Sequence, residues 1–246
     1  MRICLLSLLL IGAALNAGEL DAGALPALPG IPALHHEKES EERFQADQAK
    51  TKNKLVRGAT MVAKFVGKVT ALDKFARIEA RRHVATDGSI NYELLSKDGD
   101  KSVQKELIVR YINLEMDQKQ RGSDDYSVTP KNYHFKFKGT REEDGREVDV
   151  FEVHPRKRRV GFFKGEVWVD TETGLNVHEA GQLVKSPSVF LKSVRFVRNY
   201  EIREGIQLPK TTAVYTDTRL LGMAELEIEY SDVTWDTASA VSQSQN

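Results

Sequence analysis

Cysteine is almost missing: Cys4 is the only one, and it lies close to the amino terminus. No disulfide, cysteine metal ligand or thiolate nucleophile can operate downstream of it, so the core has to hold the fold. An excess of charge of one sign is also lacking, since 36 lysines and arginines are offset by 36 aspartates and glutamates. A chain without a net field does not draw in a polyanion, which argues against a nucleic-acid partner. After Leu15 there is no long apolar run, and so no further segment that could cross a bilayer as a helix. The sequence contains no G-x-S-x-G, no H-E-x-x-H and no glycine-rich phosphate loop. No set of nucleophile, base and oxyanion donor can be assembled from it, and the chain is read as a non-enzyme without cofactor or metal.

What is present begins with a leader. Met1 and Arg2 precede an apolar run from Ile3 to Leu15, followed by Ala17 and Gly18, the layout of a secretory signal peptide (1–17) cut after Ala17. The run is shorter than the roughly 20 apolar residues a spanning helix needs. Cys4 precedes most of the run, whereas a lipidated cysteine must follow it, so a periplasmic protein without an acyl anchor is expected. Residues 18–57 read as a linker and a charged N-terminal segment. Three prolines interrupt residues 18–34, and from Glu37 to Lys54 the only large apolar side chain of note is Phe44, which suits a short exposed helix or more linker. Residues 58–236 are the predicted domain, and 237–246 a polar tail.

Within the domain, turn signals recur at Asp87-Gly88, Asp98-Gly99, Asp144-Gly145, Thr173-Gly174, Ser186-Pro187-Ser188, Glu204-Gly205 and Gly222. Between them the chain alternates. Ala224, Leu226, Ile228 and Tyr230 are interleaved with Glu225, Glu227 and Glu229, and Tyr133, Phe135 and Phe137 with His134, Lys136 and Lys138. Ten strands are expected near 60–71, 75–86, 90–96, 132–139, 147–154, 162–170, 174–184, 190–202, 208–220 and 224–232. The first is ambiguous, because Met61, Phe65, Val69 and Leu72 also fit a helical period. One helix, 101–117, interrupts the strands. Val103, Leu107, Ile108, Tyr111 and Ile112 share a face, and Asp100 or Ser102 can cap its first turn.

Strands of about 11 residues reach roughly 36 Å at about 3.3 Å per residue, and sheets of many such strands twist and curl. The predicted fold is therefore mainly β (α+β): a curved antiparallel half-barrel of about ten strands with a helical lid. Its trough is either filled by side chains or open to an apolar guest. Alternation alone selects Phe135, Phe137, Val167, Val169, Leu226, Ile228 and Tyr230 as trough residues, with Val103, Leu107, Ile108 and Tyr111 on the lid. The same residues could equally be ordinary core.

Arg156, Lys157, Arg158 and Arg159 fall between two predicted strands after His154-Pro155. They suit a solvated turn, or a basic rim making transient contact with anionic headgroups within a Debye length of roughly 8 Å. The neighbouring "RVGFFKGE" lacks the glycine and aromatic order of an RNA-reading strand. His134, His154 and His178 lie on adjacent predicted strands, but nothing else in the sequence supports a metal site there.

From about residue 130 the stretches "TPKNYHFKFKG", "HPRKRRVGFFKGEVWVDTETGLNV", "VKSPSVF" and "LPKTTAVYTDTRLLGMAELEIEY" form a pattern. It includes a strand ending Trp168-Val169-Asp170, a turn at Thr173-Gly174 and a late strand opened by Leu208-Pro209. This pattern resembles an exported branch of the outer-membrane lipoprotein-sorting (LolA-like) superfamily, over 129–232 and more loosely from Gly58. The resemblance implies a half-barrel whose helices cover an apolar cavity, in a group that carries acylated lipoproteins or lipids and includes a sensor of envelope stress. Two functions follow as expectations. One is a carrier whose partner is a lipid or lipoprotein acyl chain, and the other an interaction or sensing module that engages an envelope protein over a filled core.

Overall fold

A computed structural model describes residues 32–50, 56–117, 127–187, 189, 191–219 and 222–236. Asp144-Gly145 and Glu204-Gly205 each place two consecutive residues at positive φ (50° and 74°, 54° and 73°), the twist of two-residue hairpin turns. The first pair joins β4 (Tyr133–Glu143) to β5 (Arg146–Pro155), and the second joins β8 (Leu191–Arg203) to β9 (Ile206–Thr218). At the turn between β6 (Phe163–Asp170) and β7 (Asn176–Leu183), the Asp170 carboxylate accepts hydrogen bonds from the Thr173 N–H (2.7 Å) and hydroxyl (2.6 Å).

With β1 (Ala59–Val69), β2 (Lys74–Val84), β3 (Ile90–Gly99) and β10 (Gly222–Trp235), all ten expected strands are present. They form one antiparallel sheet in the order β3-β2-β1-β10-β9-β8-β7-β6-β5-β4. Each neighbour is the next strand in sequence except for β1 beside β10, where Phe65 pairs with Ile228 and Gly67 with Leu226. The first segment is a strand and not a helix, because Ala59, Met61, Ala63 and Phe65 are buried at period two. Edges β3 and β4 stay apart, so the sheet is an open half-barrel. Bulges at Thr60/Val62, Glu79/Ala80, Phe137/Gly139, Trp168/Val169 and Asn199/Tyr200 bend it.

Two helical covers lie on the sheet. One is the expected lid, built from α2 (Lys101–Val103), a π-helical stretch (Gln104–Val109) and α3 (Arg110–Met116). Its cap is Asp100, whose Oδ1 accepts from the N–H groups of Ser102 (2.9 Å) and Val103 (3.0 Å). The other cover, α1 (Pro32–Ala49), corrects the expectation of an exposed helix or linker. It packs against β4 with Phe44 only 2% exposed, so the folded unit begins well before residue 58. Period analysis missed it because its inward stripe is Ser40, Phe44 and Asp47, polar on both sides of one phenylalanine. Among the described residues no helix is long and apolar enough to cross a membrane. The leader and the polar tail lie outside the described residues.

Candidate functional site

Directly opposed residues in adjacent antiparallel strands share a face, so the registers trace rows across the whole sheet. One row runs from β4 to β3 as Phe137, Phe151, Val167, Glu179, Arg198, Thr212, Ile228, Phe65, Ile78 and Lys97. The next runs as Phe135, Val153, Gly165, Gly181, Phe196, Val214, Leu226, Gly67, Ala76 and Gly99. Both helical covers sit on the face these rows define. The seven trough residues inferred from alternation do share that face, but they do not form one trough. The first row is apolar on β4 to β6 and on β10, β1 and β2, polar on the central strands β7 to β9, and ends in Lys97 on β3.

On the β4–β6 flank, Phe135, Phe137, Val167 and Val169 gather with Phe151, Val153 and Phe196 around Phe44 of α1. The Phe44 ring stacks on Phe135 at 4.2 Å and meets Phe151 edge-on at 5.3 Å. Polar ties surround this plug. Arg43 pairs with Asp149 through two nitrogens and lies 4.2 Å over the Phe137 ring, and Ser40 Oγ accepts from the Phe137 N–H at the sheet edge (3.0 Å). Lys50 Nζ donates to Thr171 O (2.6 Å). Asp47 is buried with one carboxylate oxygen, Oδ2, lacking a hydrogen-bond partner. Burial pushes its carboxyl above the ordinary range, against the nearby Lys50. Where α1 crosses β4 a groove of about 760 Å³ opens, lined by Glu37, Ser40, Arg43, His134, Phe135 and Phe137 among others.

On the opposite flank, Leu226 and Ile228 join Phe65, Ile78, Val103 and Ile108, with Tyr230, Leu107 and Tyr111 packed at the margin. All four lid residues therefore lie over this flank. Nothing is open beneath them at Gly67, where an added Cβ would stand 3.0 Å from Val103, 3.1 Å from Leu107 and 3.3 Å from Ile108. Glu115 of α3 accepts from Arg82 and from the Tyr92 hydroxyl, tying the lid to β2 and β3.

Between the flanks lies a polar divide that sequence reasoning missed. Glu179 Oε1 accepts from Asn176 Nδ2 (3.0 Å), and Oε2 from the Tyr200 hydroxyl (3.3 Å) and from Arg198 Nη1 (3.5 Å). Tyr111 and Tyr230 are hydrogen-bonded to each other. Burial raises the phenol groups of Tyr111, Tyr200 and Tyr230 above their ordinary range, so they remain protonated donors at neutral pH. β7 and β8 present Glu179 and Arg198 in the row where the flanking strands present Val167 and Ile228, a match that only the strand registers reveal.

The basic quartet lies in an exposed loop between β5 and β6, longer than a tight turn. Arg156 is turned inward to Glu41 and Glu37 of α1, with Nε donating to Pro130 O (2.8 Å). Arg158 Nη2 donates to Val184 O (3.0 Å), Arg159 lies 5.6 Å over the Phe162 ring, and Lys157 faces solvent. As a rim for headgroups the quartet is thus reduced, because Arg156 and Arg158 have structural partners. His134 and His154 are opposed on β4 and β5, while His178 stacks on Trp168 at 4.1 Å. Among the described residues, the histidine–carboxylate group compact enough for a metal is Glu37, Glu41 and His134. The Arg156 guanidinium already contacts all three, its Nη1 standing 3.0 Å from His134 Nδ1.

Neither a protein-family model nor a curated protein matches the sequence. Among solved structures, the chain aligns over 82% of its length with 94% of a DUF1329 family protein from Desulfovibrio piger, at 12% identity and a TM-score of 0.44. A candidate outer membrane lipoprotein-sorting domain from Vibrio parahaemolyticus is matched over 82% of this chain and 94% of its own, at 15% identity and a TM-score of 0.41. A LolA superfamily protein from Nitrosomonas europaea is matched over 80% and 93%, at 10% identity and a TM-score of 0.34. The open antiparallel half-barrel with helices on one face expected from the sequence is the architecture the chain adopts.

Proposed function

We propose that the protein is an exported, non-catalytic binding protein of the periplasm that carries an acyl chain, and that α1 fills the acyl site while it is empty. One observation carries this reading. An aromatic basin built from Phe135, Phe151, Val153, Val167 and Val169 is closed by a helix whose inner stripe offers it only Phe44. Burying one phenylalanine contributes about 1.5–3 kcal/mol, and the buried Asp47 oxygen without a partner costs about 1–3 kcal/mol. An acyl tail contributes about 0.8 kcal/mol per buried methylene, so a chain of about ten carbons outweighs the plug. The groove beside Phe135 and Phe137 is the natural point of entry. The leader of residues 1–17 supports export, and Lys157 is the basic residue left to touch a membrane surface during transfer.

The test is uptake of a fluorescent fatty acid, with native mass spectrometry of protein taken from the periplasm. The variant Phe44→Ala should take up the probe faster than the wild type and at least as tightly. Lack of uptake by both proteins, with no co-purifying lipid, would discard the carrier reading.

A second reading has its own observation. The β1–β2–β10 flank is packed shut under the lid, as the close approach at Gly67 shows, and a closed half-barrel suits a module that engages another envelope protein from outside. Cross-linking in cells that traps one reproducible protein, lost on changing exposed strand residues, would select it.

A further inference from the structure

Arg198 stands apart from the other arginines on the covered face. Arg43 is held by Asp149 and Thr140, and Arg82 by Glu115 through two nitrogens. Among the described residues Arg198 makes one hydrogen bond, the 3.5 Å contact from Nη1 to Glu179, and its guanidinium lies 4.8 Å over the Phe196 ring. Its side chain keeps 36% of its surface exposed although it stands mid-row on the central strand β8. A guanidinium carries five N–H donors, and one of those on Arg198 has a hydrogen-bond acceptor among the described residues. Tyr111, Tyr200 and Tyr230 lie near enough to act on the Arg198 charge, the Tyr200 hydroxyl donating to Glu179 and Tyr111 and Tyr230 bonding each other. Glu179 offers Arg198 only the 3.5 Å contact, while its oxygens also accept from Asn176 and Tyr200 at 3.0 and 3.3 Å.

We infer that Arg198 is a headgroup site for a carboxylate or phosphate at the end of the carried chain. Val167, at the rim of the aromatic basin, lies two strands from Arg198 in the same row, about 10 Å at the spacing of neighbouring strands. A single-chain amphiphile can therefore place its tail beside Val167 and its anionic oxygens on Arg198. Planar, forked donors suit both anions. The inference rests on the acyl-carrier reading and names the class of cargo: anionic, single-chained and terminally charged.

The experiment uses the full mature chain and displacement of the uncharged probe N-phenyl-1-naphthylamine by three competitors: dodecanoate, dodecyl phosphate and dodecanol. In the wild type at least one of the two anions should bind tenfold or more tightly than dodecanol, and the tighter one tells a free fatty acid from a phosphate headgroup. Arg198→Gln should erase that preference and leave dodecanol unchanged, while Arg198→Lys should keep part of it. Equal binding of all three by the wild type overturns the headgroup site and leaves the carrier reading standing. So does an equal loss of all three in Arg198→Gln while circular dichroism stays native. If the wild type binds none of the three, the carrier reading falls, and the headgroup site with it.

Discussion

Arg82 on β2 and Glu115 on α3 form a two-pronged ion pair, in which Arg82 Nε (3.2 Å) and Nη2 (2.7 Å) both donate to the same carboxylate oxygen. Only 8% and 13% of the two side chains is exposed. The second carboxylate oxygen accepts from Tyr92 on β3, so one glutamate anchors the end of the lid to two strands.

Truncating Glu115 should therefore cost far more than a surface pair would. Glu115→Ala leaves the Arg82 charge buried and uncompensated, and a loss of about 3–5 kcal/mol is expected in urea unfolding. The double variant Arg82→Met with Glu115→Leu should recover most of that loss, because an apolar pair of similar volume needs no desolvated charge. A single loss below about 1 kcal/mol would mean that water reaches the pair.

Asp47 has the opposite sign of effect. Its carboxyl is raised by burial in the docked helix, so the docked state holds the proton more tightly than the undocked one. Seating of α1 should strengthen as pH falls toward that raised value and weaken above it. Glu37, lowered by its hydrogen bond with His134, works the other way and fades in acid. The comparison of Asp47→Asn with the wild type isolates the first effect. At pH 7 the variant should protect the α1 amides from hydrogen exchange by about 1 kcal/mol more, with the difference vanishing in acid.

Acid stability should also depend on Asp170. Burial alone would raise this carboxyl, but the Thr173 hydroxyl and N–H and the Arg146 guanidinium hold it below the ordinary range. A depressed value contributes stability that is present above the unfolded pKa, near 4, and lost as pH falls through the lower folded value. Asp170→Asn should lower stability by about 1.5–3 kcal/mol at pH 7 and flatten its decline below pH 4.

Two glycines should respond very differently to the same change. At Gly165, which faces Gly181 across β6 and β7, an added Cβ would stand 2.0 Å from the Ala180 carbonyl oxygen. Backbone cannot yield there, and Gly165→Ala should fail to accumulate as soluble protein. At Gly67 the nearest atoms are side-chain carbons of the lid at 3.0–3.3 Å. Gly67→Ala should fold, with faster amide exchange confined to the lid.

Much of this architecture was legible because the turns carry their own chemistry. Asp144-Gly145 and Glu204-Gly205 set two-residue hairpins, and alternation along β10 showed which side of the sheet is dry. The 101–117 helix announced itself through Val103, Leu107, Ile108 and Tyr111. The helix around Phe44 did not, since Ser40 and Asp47 on its inner stripe look like exposed residues to any periodicity argument and are buried only because the sheet supplies partners. The polar divide was hidden for a related reason. Glu179 and Arg198 lie far from Phe137 and Ile78 in the chain, and only the strand registers bring them into one row. Alternation tells in from out along one strand, but it carries no information on how the inner residues of ten strands add up across a sheet.

The pairing of β1 with β10 joins Ala59 to Trp235, and β10 is the last strand among the described residues. The first three strands can zip to one another early, yet they stay detached from the other seven until the final one emerges. The two halves of the sheet cannot join before β10 is available. Closure of the sheet is postponed to its last strand by connectivity alone, a long-range pairing whose loop-closure entropy is met late.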